Sequence, residues 1–163
     1  MTPVYLALGS NIGDRERYLR AGMRDLAARG VDILRCASLY STEPKEVLDQ
    51  PWFLNTVVSA GTKLTPSELL SVCLDVETVH GRIRSVTKGP RTLDIDIIFY
   101  ANMIVQKPGL TIPHPSFSLR RFVLVPLAEI APDFTDPRSR RSISELLESC
   151  PDPSQVLLSG KCE

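Results

Sequence analysis

Along this chain, short continuous apolar runs alternate with apolar stripes spaced three and four residues apart. Val4 to Leu8 is an apolar run that stops at Gly9-Ser10-Asn11, which predicts a buried strand feeding a turn. Between Arg15 and Ala28, Leu19, Met23 and Leu26 recur at spacings of four and three, the stripe of a helix with one buried face. Val31 to Tyr40 reads as a second extended run, Ser41 to Pro51 as a polar stretch, and Phe53 to Ala60 as a third strand. Thr65-Pro66-Ser67-Glu68 then supplies an N-cap threonine, a proline at the first helical position and a glutamate at the third. Leu69, Val72, Cys73, Val76 and Val79 follow on one face, and Gly81 stands where a C-terminal cap belongs. Leu93 to Tyr100, rich in isoleucine and aromatic residues, is strand-like.

The resulting order, β-α-β-β-α-β, is that of an α+β ferredoxin-like sandwich, with helices on one face of a mainly antiparallel sheet. Prolines 108, 113, 115, 126 and 132 break the last third into short pieces, although Phe122 to Leu127 is apolar enough to enter a core. Ser142-Ile143-Ser144-Glu145 is a second capping box and opens a short helix among these additional C-terminal elements. No repeat and no internal boundary is visible, so residues 1–163 are expected to form one domain.

Composition narrows the class. The chain has 163 residues, 43% hydrophobic and 23% charged, enough for a core without metal or disulfide staples. Nineteen basic residues offset nineteen acidic ones, which argues against a nucleic-acid coat or a membrane-surface peptide. No apolar run is long enough to span a bilayer and no secretion signal is recognisable. Cys36, Cys73, Cys150 and Cys162 form no CxxC pair, so reduced thiols in a cytoplasmic protein are expected rather than a zinc site.

Chemistry concentrates between Gly81 and Asp96. On a strand, Asp94 and Asp96 share a face with Cα atoms roughly 6.5 Å apart, while Leu93, Ile95 and Ile97 face the other way. Two adjacent carboxylates suit a hard cation such as Mg²⁺, which keeps waters and borrows phosphate oxygens; they also suit the solvated face of an edge strand. Arg82, Arg84, Lys88 and Arg91, around a Gly89-Pro90 loop, add the forks that a polyphosphate needs. Such binding would not be of the P-loop or Rossmann kind, since neither glycine pattern is present. Asn11 and Asp14 could cap the first helix, His80 could complement the dipole of the second, and His114 in Ile-Pro-His-Pro could donate to a phosphate. Trp52, Phe53 and Asn55 offer aromatic faces and an amide edge, as a flat heterocycle requires, or ordinary packing.

These residues carry a resemblance. Gly89-Pro90-Arg91-Thr92-Leu93-Asp94-Ile95-Asp96-Ile97, with Gly9-Ser10-Asn11, Phe53-Leu54-Asn55, Glu77 before Gly81-Arg82-Ile83-Arg84, and Ile112-Pro113-His114 leading to Arg120 and Phe122, resembles the 6-hydroxymethyl-7,8-dihydropterin pyrophosphokinases over nearly the whole length. The resemblance implies a ferredoxin-like core and transfer of the β,γ-diphosphate of ATP to the pterin hydroxymethyl group, with release of AMP and use of two Mg²⁺ ions. It makes Asp94 and Asp96 the metal ligands, with Arg82, Arg84 and Arg91 acting beside them in catalysis. Glu77, Arg84, Arg91, Ile97, Thr111, His114 and Arg120 would lie at ATP. Thr42, Pro44, Phe53, Asn55, Asp94 and Phe122 would form the pterin pocket, Asn55 reading the ring edge between Phe53 and Phe122. It further implies a monomer acting on small molecules, without nucleic acid or membrane.

The sequence departs from the family pattern twice. Ser85-Val86-Thr87-Lys88 stands where many relatives carry an arginine-tryptophan pair, and Pro115 follows His114 where some have tyrosine. Two rival readings exist: another Mg²⁺-dependent phosphoryl or nucleotidyl transferase, which leaves Phe53, Asn55 and Phe122 unexplained, and a ferredoxin-like RNA-binding module, whose phosphate backbone the aspartates would repel.

Overall fold

A computed structural model of the chain describes residues 1–44, 49–81 and 92–162. The apolar runs and stripes become strands and helices close to the expected bounds: β1 (Thr2–Ser10), α1 (Arg15–Ala28), β4 (Phe53–Thr62), α2 (Pro66–Val79) and β5 (Asp94–Tyr100). Both capping boxes form. Thr65 accepts from the Glu68 N–H at 3.2 Å while the Glu68 carboxylate accepts from the Thr65 N–H at 2.9 Å; Ser142 and Glu145 repeat the exchange at the start of α4 (Ile143–Glu148). Hydrogen bonding from the Ser142 backbone and then from its side chain holds the exposed Glu145 carboxyl below its usual range. Gly81, at φ +83°, follows the His80 C-cap of α2 in the left-handed conformation that favours glycine.

The expected second strand is two. β2 (Val31–Cys36) pairs one half of β4 and β3 (Leu39–Thr42) the other, with a break at Ala37–Ser38. Side chains tie the break down: Thr56 Oγ1 donates to the Ala37 carbonyl at 3.0 Å, and Glu129 accepts from both the N–H and the hydroxyl of Ser38. Counting β2 and β3 together, the strands lie in the ferredoxin-like order β5-β1-β4-β2/β3, and every pairing between them is antiparallel. A further strand, β8 (Val156–Gly160), which the sequence did not suggest, extends the sheet beyond β3.

The faces are also covered differently from expectation. Leu19 and Leu26 of α1 and Leu69, Cys73 and Val76 of α2 pack on one face with Val4, Leu6 and Leu8. The opposite face is covered too. α3 (Arg121–Ile130) packs there through Val123, Leu124 and Leu127, with α4 behind it, so helices lie on both sides. Pro126 does not break this stretch: it lies inside α3 and is buried. A small hairpin, β6 (Val105–Lys107) and β7 (Leu110–Ile112), follows β5.

Where all four cysteines were expected to be reduced, Cys36 and Cys162 form a disulfide. They are 126 residues apart in sequence, so spacing gave no hint; β8 brings the end of the chain back beside β2. Arg20 of α1 also donates to the Cys162 carbonyl. Cys73 is buried, and burial pushes its thiol well above the ordinary range. Among the described residues, no helix is long and apolar enough to cross a membrane.

Candidate functional site

The sheet's register builds the site. β1 lies between β4 and β5, with Gly9 opposite Asn55 on one side and opposite Asp94 on the other. Residues paired across strands point to the same face, so Asp94, Gly9, Asn55 and Tyr40 form one row across four strands. Two residues along β1, Ala7 pairs Asp96 and Val57. The two aspartates therefore face the α3 side of the sheet. Phe53 and Thr42, themselves paired, continue that face toward the polar segment.

A bulge in β5 gives this strand two characters. Leu6 pairs Ile97 and Tyr5 pairs Phe99, leaving Ile98 as the extra residue. Before it, the α3-facing positions are Asp94 and Asp96; at and after it they are Ile98 and Phe99, which join the α3 core. The Ile98 carbonyl accepts the N–H of His114 at 3.0 Å, which fixes the Ile-Pro-His-Pro stretch alongside β5.

His114 is half-buried. Its Nδ1 accepts the Ser116 N–H at 3.1 Å, so in the neutral ring the proton sits on Nε2. Burial first, and then the Arg120 guanidinium, lower its pKa to about 4 against a partial opposing effect of Asp94. His114 is thus a neutral donor at neutral pH. It lines a hollow of about 290 Å³ with Asp96, Ile97 and Thr111, and the hollow is completed by Leu70, Ile95, Leu110, Gly109 and Pro115. Leu70 was absent from the sequence reading because the stripe of α2 counts only its inward face; Leu70 sits one residue past the buried Leu69. Gly109, at φ +78°, is the turn of the β6–β7 hairpin.

Glu77 stands differently. Its carboxylate, buried on α2, accepts the Ile95 N–H at 2.7 Å. Asn55 and Thr42 are both buried and bonded together, Asn55 Nδ2 donating to Thr42 Oγ1 at 2.7 Å. Pro44 is buried just beyond β3. At the start of α3, Asp152 accepts the Arg121 N–H at 3.0 Å, and the Arg120 guanidinium lies 5.7 Å from the ring centre of the half-buried Phe122. Asn11 does not cap α1: Asp14 does, accepting the Arg17 N–H, while Asn11 donates to Gln50 Oε1 and the Pro51 carbonyl. His80 pairs with Asp25 at 2.7 Å. Arg82, Arg84 and Arg91, with the Ser85–Lys88 departure, lie outside the described residues.

Among the described residues no third His, Cys, Asp or Glu joins Asp94 and Asp96 as a metal-binding group. Two oxygen donors flanked by the small Ala7 and Gly9 nonetheless fit Mg²⁺, which commonly takes one or two protein carboxylates and completes its octahedron with water and phosphate oxygens.

The model of the 7,8-dihydro-6-hydroxymethylpterin-pyrophosphokinase family matches residues 5–132. The 2-amino-4-hydroxy-6-hydroxymethyldihydropteridine pyrophosphokinase of Methylorubrum extorquens is 47% identical over 134 residues, 82% of this chain and 85% of that one. The protein of the same description from a Synechocystis strain is 44% identical over 144 residues, 88% of this chain and 73% of that one. In fold, a crystal structure of Plasmodium falciparum HPPK-DHPS superposes with a TM-score of 0.69 at 16% identity; the match covers 91% of this chain and 43% of that longer one.

Proposed function

Because the chain belongs to the 7,8-dihydro-6-hydroxymethylpterin-pyrophosphokinase family, we propose that it transfers the β,γ-diphosphate of ATP to the hydroxymethyl group of 6-hydroxymethyl-7,8-dihydropterin. The observation that carries the reading is the row Asp94–Gly9–Asn55 on one face of the sheet. It sets a carboxylate and a heterocycle-reading amide two strand spacings apart, roughly 10 Å. The span suits a bicyclic pterin whose ring edge meets Asn55 and whose one-carbon arm reaches toward the aspartates.

In this reading Thr42 fixes the Asn55 amide, Phe53 and Phe122 flank the ring, and Pro44 closes the pocket beyond β3. The hollow along the edge strand takes the nucleoside, with the Ile97 main chain, Leu70 and Thr111 around the base. His114 donates from Nε2 to a phosphate oxygen, and Arg120 adds its charge. Glu77 serves the ATP side indirectly, by holding β5. Arg82, Arg84 and Arg91 are assigned by the sequence motif alone to neutralise the transferred and departing phosphates.

The hydroxymethyl oxygen forms a bond to the β-phosphorus as the bond from that phosphorus to the α–β bridging oxygen breaks. AMP leaves with the bridging oxygen, and the hydroxyl proton is lost, the carboxylates on this face being its nearest acceptors. Asp94 and Asp96 would hold Mg²⁺, two ions in the family pattern, which when bound supplies charge neutralisation of the phosphate oxygens and a lower hydroxyl pKa. We read residues 1–163 as a single monomeric domain acting in the cytoplasm on small molecules only.

Incubation with ATP, Mg²⁺ and the dihydropterin, followed by quantification of nucleotide and pterin products, tests this. AMP and pterin diphosphate in equal amounts, lost in Asp94→Ala and Asp96→Ala, is the expected result. ADP would turn the reading to a monophosphoryl kinase.

A further inference from the structure

We infer that Gly9 is a positioning residue for pterin recognition, because its missing side chain is what gives the Asn55 carboxamide its place on the sheet. The inference rests on the pterin reading above and concerns a residue to which that reading gives no role of its own. A Cβ built at Gly9 would stand 2.3 Å from Asn55 Oδ1 and 3.4 Å from its Cγ, with Phe53 Cδ2 next at 3.7 Å. The amide oxygen therefore occupies the space over the Gly9 backbone where any other residue would carry its first side-chain atom.

The amide has little freedom to yield. Asn55 Nδ2 is held by Thr42 Oγ1 at 2.7 Å, and the two residues are only 7% and 1% exposed. A methyl at Gly9 would push Oδ1 aside, and the planar carboxamide could turn only by giving up Thr42. The backbone of Gly9 is not in the left-handed region, so the constraint is one of space at this contact and not of conformation. Gly9 also pairs Asp94, so the same bare position forms the floor between the amide and the carboxylate. A flat ring can lie across that floor only if nothing rises from it. Asn55 supplies the polar edge; Gly9 determines which way that edge points.

The test is a double-mutant cycle on the full chain. Gly9→Ala is expected to raise the Kd and KM for the dihydropterin roughly 10–100-fold, the loss of one well-placed hydrogen-bonding edge, and to leave the Kd for ATP unchanged. Asn55→Ala is expected to cost a similar factor, and adding Gly9→Ala to it should cost little more. Additive losses in the cycle, or equal loss of ATP and pterin affinity, would overturn the inference. If Gly9→Ala alone does not fold, the double variant decides: recovered folding assigns the clash to Asn55, and continued failure makes Gly9 a general packing residue and ends the proposal. Wild-type protein that binds no pterin would sink the functional reading itself, whereas wild-type binding matched by Gly9→Ala would sink only this inference.

Discussion

Glu77 and Ile95 are joined by a 2.7 Å hydrogen bond from the strand's main-chain N–H to a buried carboxylate. Ile95 lies between the two aspartates, on a strand that pairs only β1 among the described residues. A helix side chain therefore does at this edge what a neighbouring strand would do, and it fixes the stretch of strand that carries Asp94 and Asp96.

Removing that carboxylate should loosen the edge. Glu77→Ala leaves the buried Ile95 N–H without this acceptor and is expected to lower stability by about 1–3 kcal/mol. Hydrogen exchange at the Ile95 amide should quicken, and the Mg²⁺ concentration for half-maximal activity should rise. An Ile95 amide that exchanges as slowly in the variant as in the wild type would refute the positioning role.

His114 makes a prediction with a definite sign. Its folded pKa of about 4 lies below the ordinary 6.5, so the unfolded chain takes up the proton first as pH falls. The stability that goes with keeping the ring neutral is fully present above about pH 6.5 and is lost as pH falls toward 4, an effect on the order of 3 kcal/mol. Imidazole NMR of the ligand-free protein should show His114 as the neutral Nε2–H tautomer throughout the range 5.5–8. With only two histidines in the chain, His80→Gln makes the assignment. A midpoint near 6.5 would contradict the buried geometry.

Much of this arrangement was legible beforehand, for reasons that differ by residue. Thr65-Pro66-Ser67-Glu68 and Ser142-Ile143-Ser144-Glu145 announce their helices because capping is settled within four residues. Asp94 and Asp96 share a face because strand alternation is equally local. What stayed hidden depends on partners distant in sequence. The break at Ala37–Ser38 is written in Glu129 and Thr56, and the helical state of Pro126 in the core that α3 covers. That Gly9 sits between Asn55 and Asp94 follows from register, which a single strand's sequence does not state. The motif singles out Glu77 but does not show it bonding Ile95, since its target is a main-chain group common to every residue.

The Cys36–Cys162 bond should be measurable by thiol count. Unfolded without reductant, the protein should present two reactive thiols, Cys73 and Cys150, and four after reduction. Cys36→Ser, or reduction of the folded protein, is expected to cost about 2–4 kcal/mol, since the bond closes a loop spanning most of the chain. That corresponds to a Tm lower by roughly 5–15 °C. Four reactive thiols before reduction would mean that β8 and the packing around Met23 hold the C-terminal end unaided.

The extra residue at Ile98 works as a change of phase. Upstream of it, odd-numbered positions of β5 face α1 and α2; downstream, that side belongs to the even-numbered Tyr100. The doubled position sets Ile98 and Phe99 side by side on the face that carries the two carboxylates further along the strand. Deleting that one residue would restore unbroken alternation: Phe99 would follow Ile97, still opposite Tyr5, and would keep the side of the sheet it shares with Phe117 and Phe134. What the deletion would remove is Ile98 itself, one apolar side chain of the α3 core and the carbonyl that holds the His114 N–H. The extra residue thus serves the core and the seat of His114, and leaves the facing of the aspartates as it is.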